Sequence, residues 1–473
     1  MQYVADLHLH SKFSRAVSPM MTLPVMAEYA RFKGLDILTT SDFTHPLWFK
    51  EINTQLEEAA DGLYKLKDQK SLPRRQAGNL KNTDQNSKTN KEVLFLLSTE
   101  IASIYKQRDK LRRIHNLVFA PSMEVAVKIS EELVRRGCNL SSDGRPIIGL
   151  SSKNLLELIL GIDENCFLIP CHVWTPHFGL FGSASGFDSI DEAFGDYAKY
   201  IYGIETGLSS DPNMNWSIKD LSNRSILSFS DAHSPSKMGR EATVFELEGD
   251  IPTYSKIKQA IMKHAQSSVA SRESEYEEKQ SDNRILYTIE FYPEEGKYHY
   301  SGHRSCKISF DPLQIIEKGV ICTVCHKKLT EGVLVRVKQL SDATISNRVR
   351  EKISPRGLKW YTDIHKSHLP YVKLVPLLEI VAQSMHSTPV SQKVKDQYVK
   401  LCSELGSEFE VLLQSNFADI SRIGGDRIAR GIQKVRAGNI IIKPGYDGEY
   451  GKVSIWNKGE EENKKESQLV LDF

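Results

Sequence analysis

Seven short apolar runs punctuate the first 240 or so residues, and the polar residues that close them constrain the fold more than any other feature. The runs are YVADLHLH, LDILTTSDF, EVLFLLSTEI, HNLVFAP, CFLIPCHVW, YIYGIETG and SILSFSDAH. Between most of them lie helix-like segments such as LPVMAEYARFKG and SMEVAVKISEELVRRG. Each of these ends in Gly after a basic last turn, a signal for a helix C-terminus. Strand and helix patterns in alternation are expected of βα units. The first run ends in His8 and His10, the second in Asp42 with His45 just beyond, and the third in Glu100. The fourth opens with His115, the fifth carries His172 with His177 following, and the seventh ends in Asp231 and His233. In a barrel of parallel strands the C-terminal strand ends share one rim. Six of the seven strands are therefore expected to deliver imidazole or carboxylate to one mouth. Burying so many ionisable groups without counter-ions is costly. Mixed His, Asp and Glu donors suit zinc, manganese or iron better than magnesium or calcium, with room for two or three ions. Clustered ions are suited to phosphate ester hydrolysis.

The chain has 473 residues, 40% of them hydrophobic and 26% charged, enough for two or three domains. Its net charge of +2 gives no global field for nucleic acid, so any basic surface must be local. No stretch has about 18 consecutive apolar residues, so no membrane span is expected. Nor does the N-terminus read as a leader, and a cytoplasmic protein is the expectation. Of seven cysteines, Cys138, Cys166, Cys171 and Cys402 are scattered and read as reduced thiols. The other three fall in a pattern: His303-x2-Cys306, fifteen residues, then Cys322-x2-Cys325. Two paired ligands at that separation fit one structural zinc in a ribbon of two knuckles, with His299 and His326 as alternative ligands.

DLHLHS, TTSDFTH, STE, HNLVFAP, PCHVWTP and SDAHS, in this order, resemble the motifs of the PHP (polymerase and histidinol phosphatase) superfamily. SKFSRA, DFTHPLW, EIASIYK, WTPHFGLFGSASGFDS, GIETGLSSDPNMNW, KYHYSGH and PGYDGEYGKV narrow the resemblance to the endonuclease Q family, to about residue 456. The resemblance implies a distorted seven-stranded βα barrel holding two or three divalent ions (Zn, Mn or Mg). It also implies hydrolysis of DNA 5′ to deaminated bases (uracil, hypoxanthine, xanthine) or abasic sites. Carried over residue by residue, the ligands are His8, His10, Glu100, His115, His172, Asp231 and His233, with Asp231, Glu100 and His172 central to catalysis. Many PHP members end the second motif in Asp-His, whereas this chain reads Ser41-Asp42-Phe43; Asp42 is the first choice of ligand there and His45 the second. Two other readings remain open, a small-molecule phosphoesterase of the same superfamily and a non-catalytic damage-binding protein.

The expected layout is an α/β chain. A catalytic barrel spans 1–278 with a polar, mobile insertion at 65–91, followed by a small zinc-ribbon-like β domain at 279–345. A helical DNA-binding region at 346–456 and a flexible tail at 457–473 complete it. An enzyme acting on a damaged base flips that base into a pocket. The loops WTPHFGLFGSASGFDS and ETGLSSDPNMNW should overhang the rim, offering Trp174, Phe178, Ser209, Asp211 and Trp216 for contact. FADISRIGGDRIARGIQKVRAGN reads as helix, Gly-Gly turn, helix and resembles a helix-hairpin-helix element. Arg427, Arg430, Lys434 and Arg436 on its second helix are the expected phosphate contacts. The last residues, QLVLDF, look like the peptide with which bacterial repair proteins dock on the sliding clamp, through Gln468, Leu471 and Phe473.

Overall fold

The computed structural model describes residues 1–67, 92–267, 282–342, 348–457 and 460. Beyond Lys67 the expected insertion lies outside the described residues, as do the 278 boundary and Gln468, Leu471 and Phe473.

All seven apolar runs form strands: β1 (Gln2–Asp6), β2 (Ile37–Thr39), β3 (Leu94–Gln107), β4 (Lys110–Ala120), β5 (Phe167–Pro170), β6 (Gly203–Glu205) and β7 (Ser225–Leu227). Strands β1, β2 and β3 pair in parallel. The third and fourth runs are one long hairpin, because only the two-residue Arg108-Asp109 turn separates β3 from β4. Both turn residues have positive φ, 48° and 62°, the hand that a tight hairpin needs. Strand β4 pairs antiparallel with β5, so the sheet is mixed where parallel units were expected. Strands β6 and β7 pair in parallel. Two links beyond the strand ends complete a circuit: the Val173 N–H donates to the Glu205 carbonyl at 3.2 Å, and Leu9 bridges Ala232.

On its outer side β1 pairs antiparallel with β8 (Ala242–Glu246), and β8 with β9 (Arg284–Glu290). The sheet continues through Tyr371–Lys373, Lys359–Asp363 and Val349–Ile353. These last three strands fall in the region expected to be helical from 346. VREKI is mostly charged, and KWYTD and YVK are short; Tyr371–Lys373 pairs with β9, and the other two strands add to it in turn.

Helix α1 (Leu23–Lys33) ends as its sequence indicates, with Gly34 in the left-handed region at φ 84° donating its N–H to the Ala30 carbonyl. The C-terminal helices are α2 (Leu377–Ser384), α3 (Gln392–Leu405), α4 (Phe417–Gly424) and α5 (Asp426–Arg436). They share one apolar core with the strands: Met26, Ala30 and Leu38 belong to the same buried cluster as Ile380, Leu401 and Ile432. An ion pair is sealed into this junction, Lys33 Nζ to Glu408 Oε2 at 2.7 Å, with both side chains 3% exposed. Glu408 also accepts from the Leu377 N–H and the Tyr398 hydroxyl, so its charge is fully partnered. Helices α4 and α5 follow one another as expected, but Gly424 ends α4, and Gly425 alone, at φ 84°, makes the turn where two glycines were expected. Among the described residues no helix is long and apolar enough to cross a membrane.

Candidate metal centre

Strand alternation sends His8 and His10 to the same side of the chain just beyond β1, and both are fully buried. Each ring is fixed at Nδ1 by a carboxylate. Glu205 Oε1 takes the His8 Nδ1–H at 2.8 Å, and Asp42 Oδ1 lies 3.4 Å from His10 Nδ1. Both Nε2 atoms are thereby directed at the same two acids. His10 Nε2 is 3.0 Å from Asp231 Oδ1 and 3.4 Å from Glu100 Oε2. His8 Nε2 is 3.8 Å from both Glu100 Oε1 and Asp231 Oδ1, and it has no hydrogen-bond partner.

Glu100 joins two donor groups. Its Oε1 meets His115 Nδ1 at 2.6 Å and His172 Nε2 at 3.3 Å, while its Oε2 faces His10 and the Arg145 guanidinium, the latter at 3.3 Å. Within each of two sets, His8, His10 and Asp231, and Glu100, His115 and His172, the donor atoms lie within 4.8 Å of one another. Cys171 forms a third such set with His8 and Glu100.

The electrostatics call for positive charge. Burial pushes His10 down, but its hydrogen bonds to Asp231 and Asp42 outweigh burial and raise it to about 9. His8 is raised in the same way by Glu205 and Asp231. Burial would raise Glu100 and Asp231, yet facing imidazoles, and Arg145 in the case of Glu100, hold both below the ordinary range. His115 is lowered to about 4, chiefly by burial. The ionised acids thus draw protons onto His8 and His10, and divalent cations would answer the same demand. The orphaned, buried His8 Nε2, facing two carboxylates, passes as a ligand atom in search of an ion.

The backbone turns sharply at this rim. Ser41, Asp42, His172 and Asp231 have φ of 53°, 43°, 29° and 46°, in a region L-residues avoid. Gly207, also at positive φ, abuts His172; a Cβ there would collide with the His172 Cβ and Cα.

Not every expected ligand joins these sets. Asp42 stands behind His10: its Oδ2 accepts from the Ser11 N–H (2.7 Å), the Ser11 hydroxyl (2.6 Å) and the Ser14 hydroxyl (2.8 Å). His45 precedes the helix at Pro46–Gln55 and stacks on Phe13 with centroids 4.5 Å apart. His233 lies beside the group, its Nδ1 3.6 Å from Asp231 Oδ1. Glu205, absent from the sequence-based candidates, closes the sixth run, GIETG, as the other acids close theirs. It also accepts the His172 N–H at 2.7 Å. Arg145 arrives from the loop DGRP and carries no periodic signal.

The surrounding candidates divide by burial. Trp174 is fully buried and donates its indole N–H to Asn215 Oδ1 at 2.7 Å. Trp216 is 2% exposed and stacks on His368. Asp211 caps a short helix and pairs with Lys373 at 2.6 Å. These three support the rim from within rather than overhanging it. Phe178 and Ser209 are half-buried, and the Phe178 ring lies 4.5 Å from His115. On α5, Arg430 is exposed, but Arg436 corrects the expectation of a phosphate contact. It is 2% exposed and donates to the carbonyls of Val411, Leu412 and Ser415. A guanidinium consumed by main-chain acceptors has no face left for DNA.

The second cluster forms among His303, Cys306, Cys322 and Cys325, whose donor atoms lie within 4.8 Å of one another. His299 and His326 are not in it. Main-chain N–H groups of Cys325 and Val324 point at the Cys322 sulfur and lower its thiol to about 6. The local apolar cluster consists of Phe310, Cys322 and Leu329, small for an independent core.

Residues 376–439 match a family model described as the MJ0043 C-terminal domain. Over 302 residues the chain is 30% identical to protein MJ0043 of Methanocaldococcus jannaschii, covering 63% of this chain and 32% of that protein. The match thus spans about a third of the relative's length. Protein YqxK of Bacillus subtilis is 27% identical over 463 residues, covering 95% of this chain and 98% of YqxK. Two solved structures share the fold at TM-score 0.74 and 28% identity. One is the lesion-specific endonuclease PfuEndoQ of Pyrococcus furiosus, with 96% of this chain and 95% of that one covered. The other is endonuclease Q in complex with a 27-mer duplex substrate with an abasic lesion at the active site, with 97% and 98% covered. With this fold and identity over nearly its whole length, the chain belongs to the endonuclease Q family.

Proposed function

We propose that the chain is a metal-dependent DNA repair endonuclease that hydrolyses the phosphodiester 5′ to a deaminated base (uracil, hypoxanthine or xanthine) or an abasic site. One observation carries the reading: the two adjoining donor sets, joined through the two oxygens of Glu100. The abasic duplex held by the structural relative supports DNA as the substrate. His8, His10, Glu100, His115, His172 and Asp231 would hold two divalent ions, with His233 the nearest candidate for a further one. Ions held there would supply Lewis-acid polarisation of a phosphoryl oxygen and acidify a water near neutral pH.

The chain's own groups prepare the centre. Glu205 and Asp42 hold the His8 and His10 rings by Nδ1 so that each Nε2 faces inward, where it would offer its lone pair once an ion displaces the Nε2 proton. Arg145 places a fixed positive charge beside Glu100, where it can meet a phosphate oxygen. Phe178 and Ser209 are the rim residues best placed to meet a flipped nucleotide, and Arg427, Arg430 and Lys434 of α5 would hold flanking phosphates. The His303, Cys306, Cys322 and Cys325 group would hold one structural zinc. Gln468, Leu471 and Phe473 are proposed to dock on a sliding clamp; deleting 468–473 is expected to abolish clamp binding and leave cleavage of free oligonucleotides intact.

The test is a labelled duplex carrying one uracil, hypoxanthine or abasic site, incubated with Mg²⁺, Mn²⁺ or Zn²⁺. A nick 5′ to the lesion is expected, lost in Asp231→Ala. Equal cutting of undamaged duplex rejects the lesion specificity, and cutting that persists in EDTA rejects the metal requirement.

A further inference from the structure

Helix α5 and the chain around Trp456 and Glu460 line an open cavity of about 630 Å³. Its lining includes Arg427, Arg430, Gln433, Lys434, Trp456 and Glu460. Three cations thus face one concavity. The Arg427 guanidinium lies over the Trp456 ring, 4.2 Å from its centroid, and Lys434 Nζ lies 5.3 Å from the same ring. The Arg427 Nε–H is spent on the Ser384 carbonyl, which fixes the guanidinium in place. Two of these lining residues carry a buried donor with no partner among the described residues: Arg427 at Nη2, and Trp456, only 8% exposed, at its indole Nε1. Buried donors are satisfied in all but a few cases, so two orphans on residues that line one cationic cavity point to a missing acceptor.

The protein supplies an acceptor of its own. Both Glu460 carboxylate oxygens lie 2.8 Å from Lys434 Nζ, and Oε2 also accepts the Asn457 N–H at 3.0 Å. A carboxylate taking a lysine with two oxygens at the edge of a three-cation cavity occupies the role that a phosphate would take. Yet it leaves the Arg427 and Trp456 donors unmet, so it fits the cavity only in part.

We infer that this cavity is a phosphate site, remote in sequence from the metal centre, and that Glu460 is its built-in competitor. A phosphate group entering the site displaces Glu460 from Lys434 and engages Arg427, Arg430 and the Trp456 indole N–H. The source of the phosphate is either a DNA strand or a free nucleotide. The DNA source rests on the repair reading above; the phosphate chemistry does not. Under the DNA source, binding to α5 is held in check until the strand competes out the carboxylate.

The experiment uses the full chain, in EDTA, as wild type, Glu460→Gln and Glu460→Gln with Lys434→Gln. Affinity for an undamaged fluorescent duplex is read by anisotropy. The Trp456 indole N–H resonance, assigned with Trp456→Phe, is followed during additions of duplex, inorganic phosphate and dAMP. Glu460→Gln is expected to bind duplex about two- to fivefold more tightly, the weight of one exposed charge pair, and the double variant to lose that gain. Duplex that shifts the indole resonance identifies DNA as the source. Phosphate and dAMP that shift it while duplex does not identify a free nucleotide. An indole resonance unmoved by all three additions, with equal duplex affinity in all variants, overturns the inference. Lesion nicking assayed on the same preparations with metal separates the two readings. Nicking with a silent cavity removes only this inference; an active cavity without nicking removes only the repair reading.

Discussion

Replacing Glu205 by Gln should disable the centre without touching any proposed ligand. The carboxylate accepts from two donors through two oxygens, the His172 main-chain N–H at 2.7 Å and the His8 Nδ1–H at 2.8 Å. An amide has one acceptor and one donor. The main-chain N–H cannot change, so the amide oxygen must serve His172 and the NH₂ must face His8. His8 then turns Nδ1 into an acceptor and carries its proton on Nε2, the atom directed at Glu100 and Asp231. A protonated Nε2 cannot ligate. Loss of such an orienting partner typically costs 10- to 100-fold in metal affinity, about 1.4 to 2.7 kcal/mol. Glu205→Ala is harsher: two buried donors lose their acceptor at about 1–3 kcal/mol each, so the fold itself should weaken by about 2–6 kcal/mol. Metal affinity by competition with a chromophoric chelator, beside thermal unfolding of the metal-free protein, separates the two effects. Wild-type metal affinity in a folded Glu205→Gln protein would refute the tautomer reasoning.

Other outcomes follow from the same geometry. Glu290 is fully buried, and burial raises its carboxyl from 4.5 to about 8 despite hydrogen bonds from Ser228 and Thr288. Between those values the folded state binds more protons than the unfolded one, so stability falls as pH rises; Glu290→Gln should flatten melting temperature against pH across that window. Cys322→Ser should lower zinc content by one equivalent and open 282–342 to proteolysis, because the Phe310, Cys322 and Leu329 cluster is too small to hold it alone. Lys33→Ala strands the Glu408 charge between α1 and the C-terminal helices and should cost about 3–5 kcal/mol by denaturant titration. Arg430→Ala should weaken duplex binding modestly and reduce the salt slope by about one unit, whereas Arg436→Ala should act on stability.

The candidate ligands were legible because most runs broke their apolar pattern with ionisable groups at one end. Glu205 carries the same signature in GIETG, but a single acid in a three-residue strand is a weak signal. Arg145 left no trace, since a loop residue reaches the site through the path of the chain and not through a period. Residues 349–373 hid their strands because exposed, charged pairs such as those of VREKI are held by the neighbouring strand rather than by propensity. Trp174, Trp216 and Arg436 show the ambiguity of aromatic and cationic side chains. The same residue types that grip nucleic acid also fill cores and tie up carbonyls, and only the packing separates the two uses.

The left-handed backbone at Asp42, His172 and Asp231 makes these the positions where fold and chemistry pull apart. Glycine at 172, or asparagine at 231, would sit there with less strain. Under selection for thermal robustness alone, a drifting lineage would trade them first and keep the surrounding sheet intact. Within any set of related chains, the retention of an uncomfortable His and Asp at these turns therefore serves as a practical sorting mark. It separates copies still under demand for chemistry from those surviving as scaffolds.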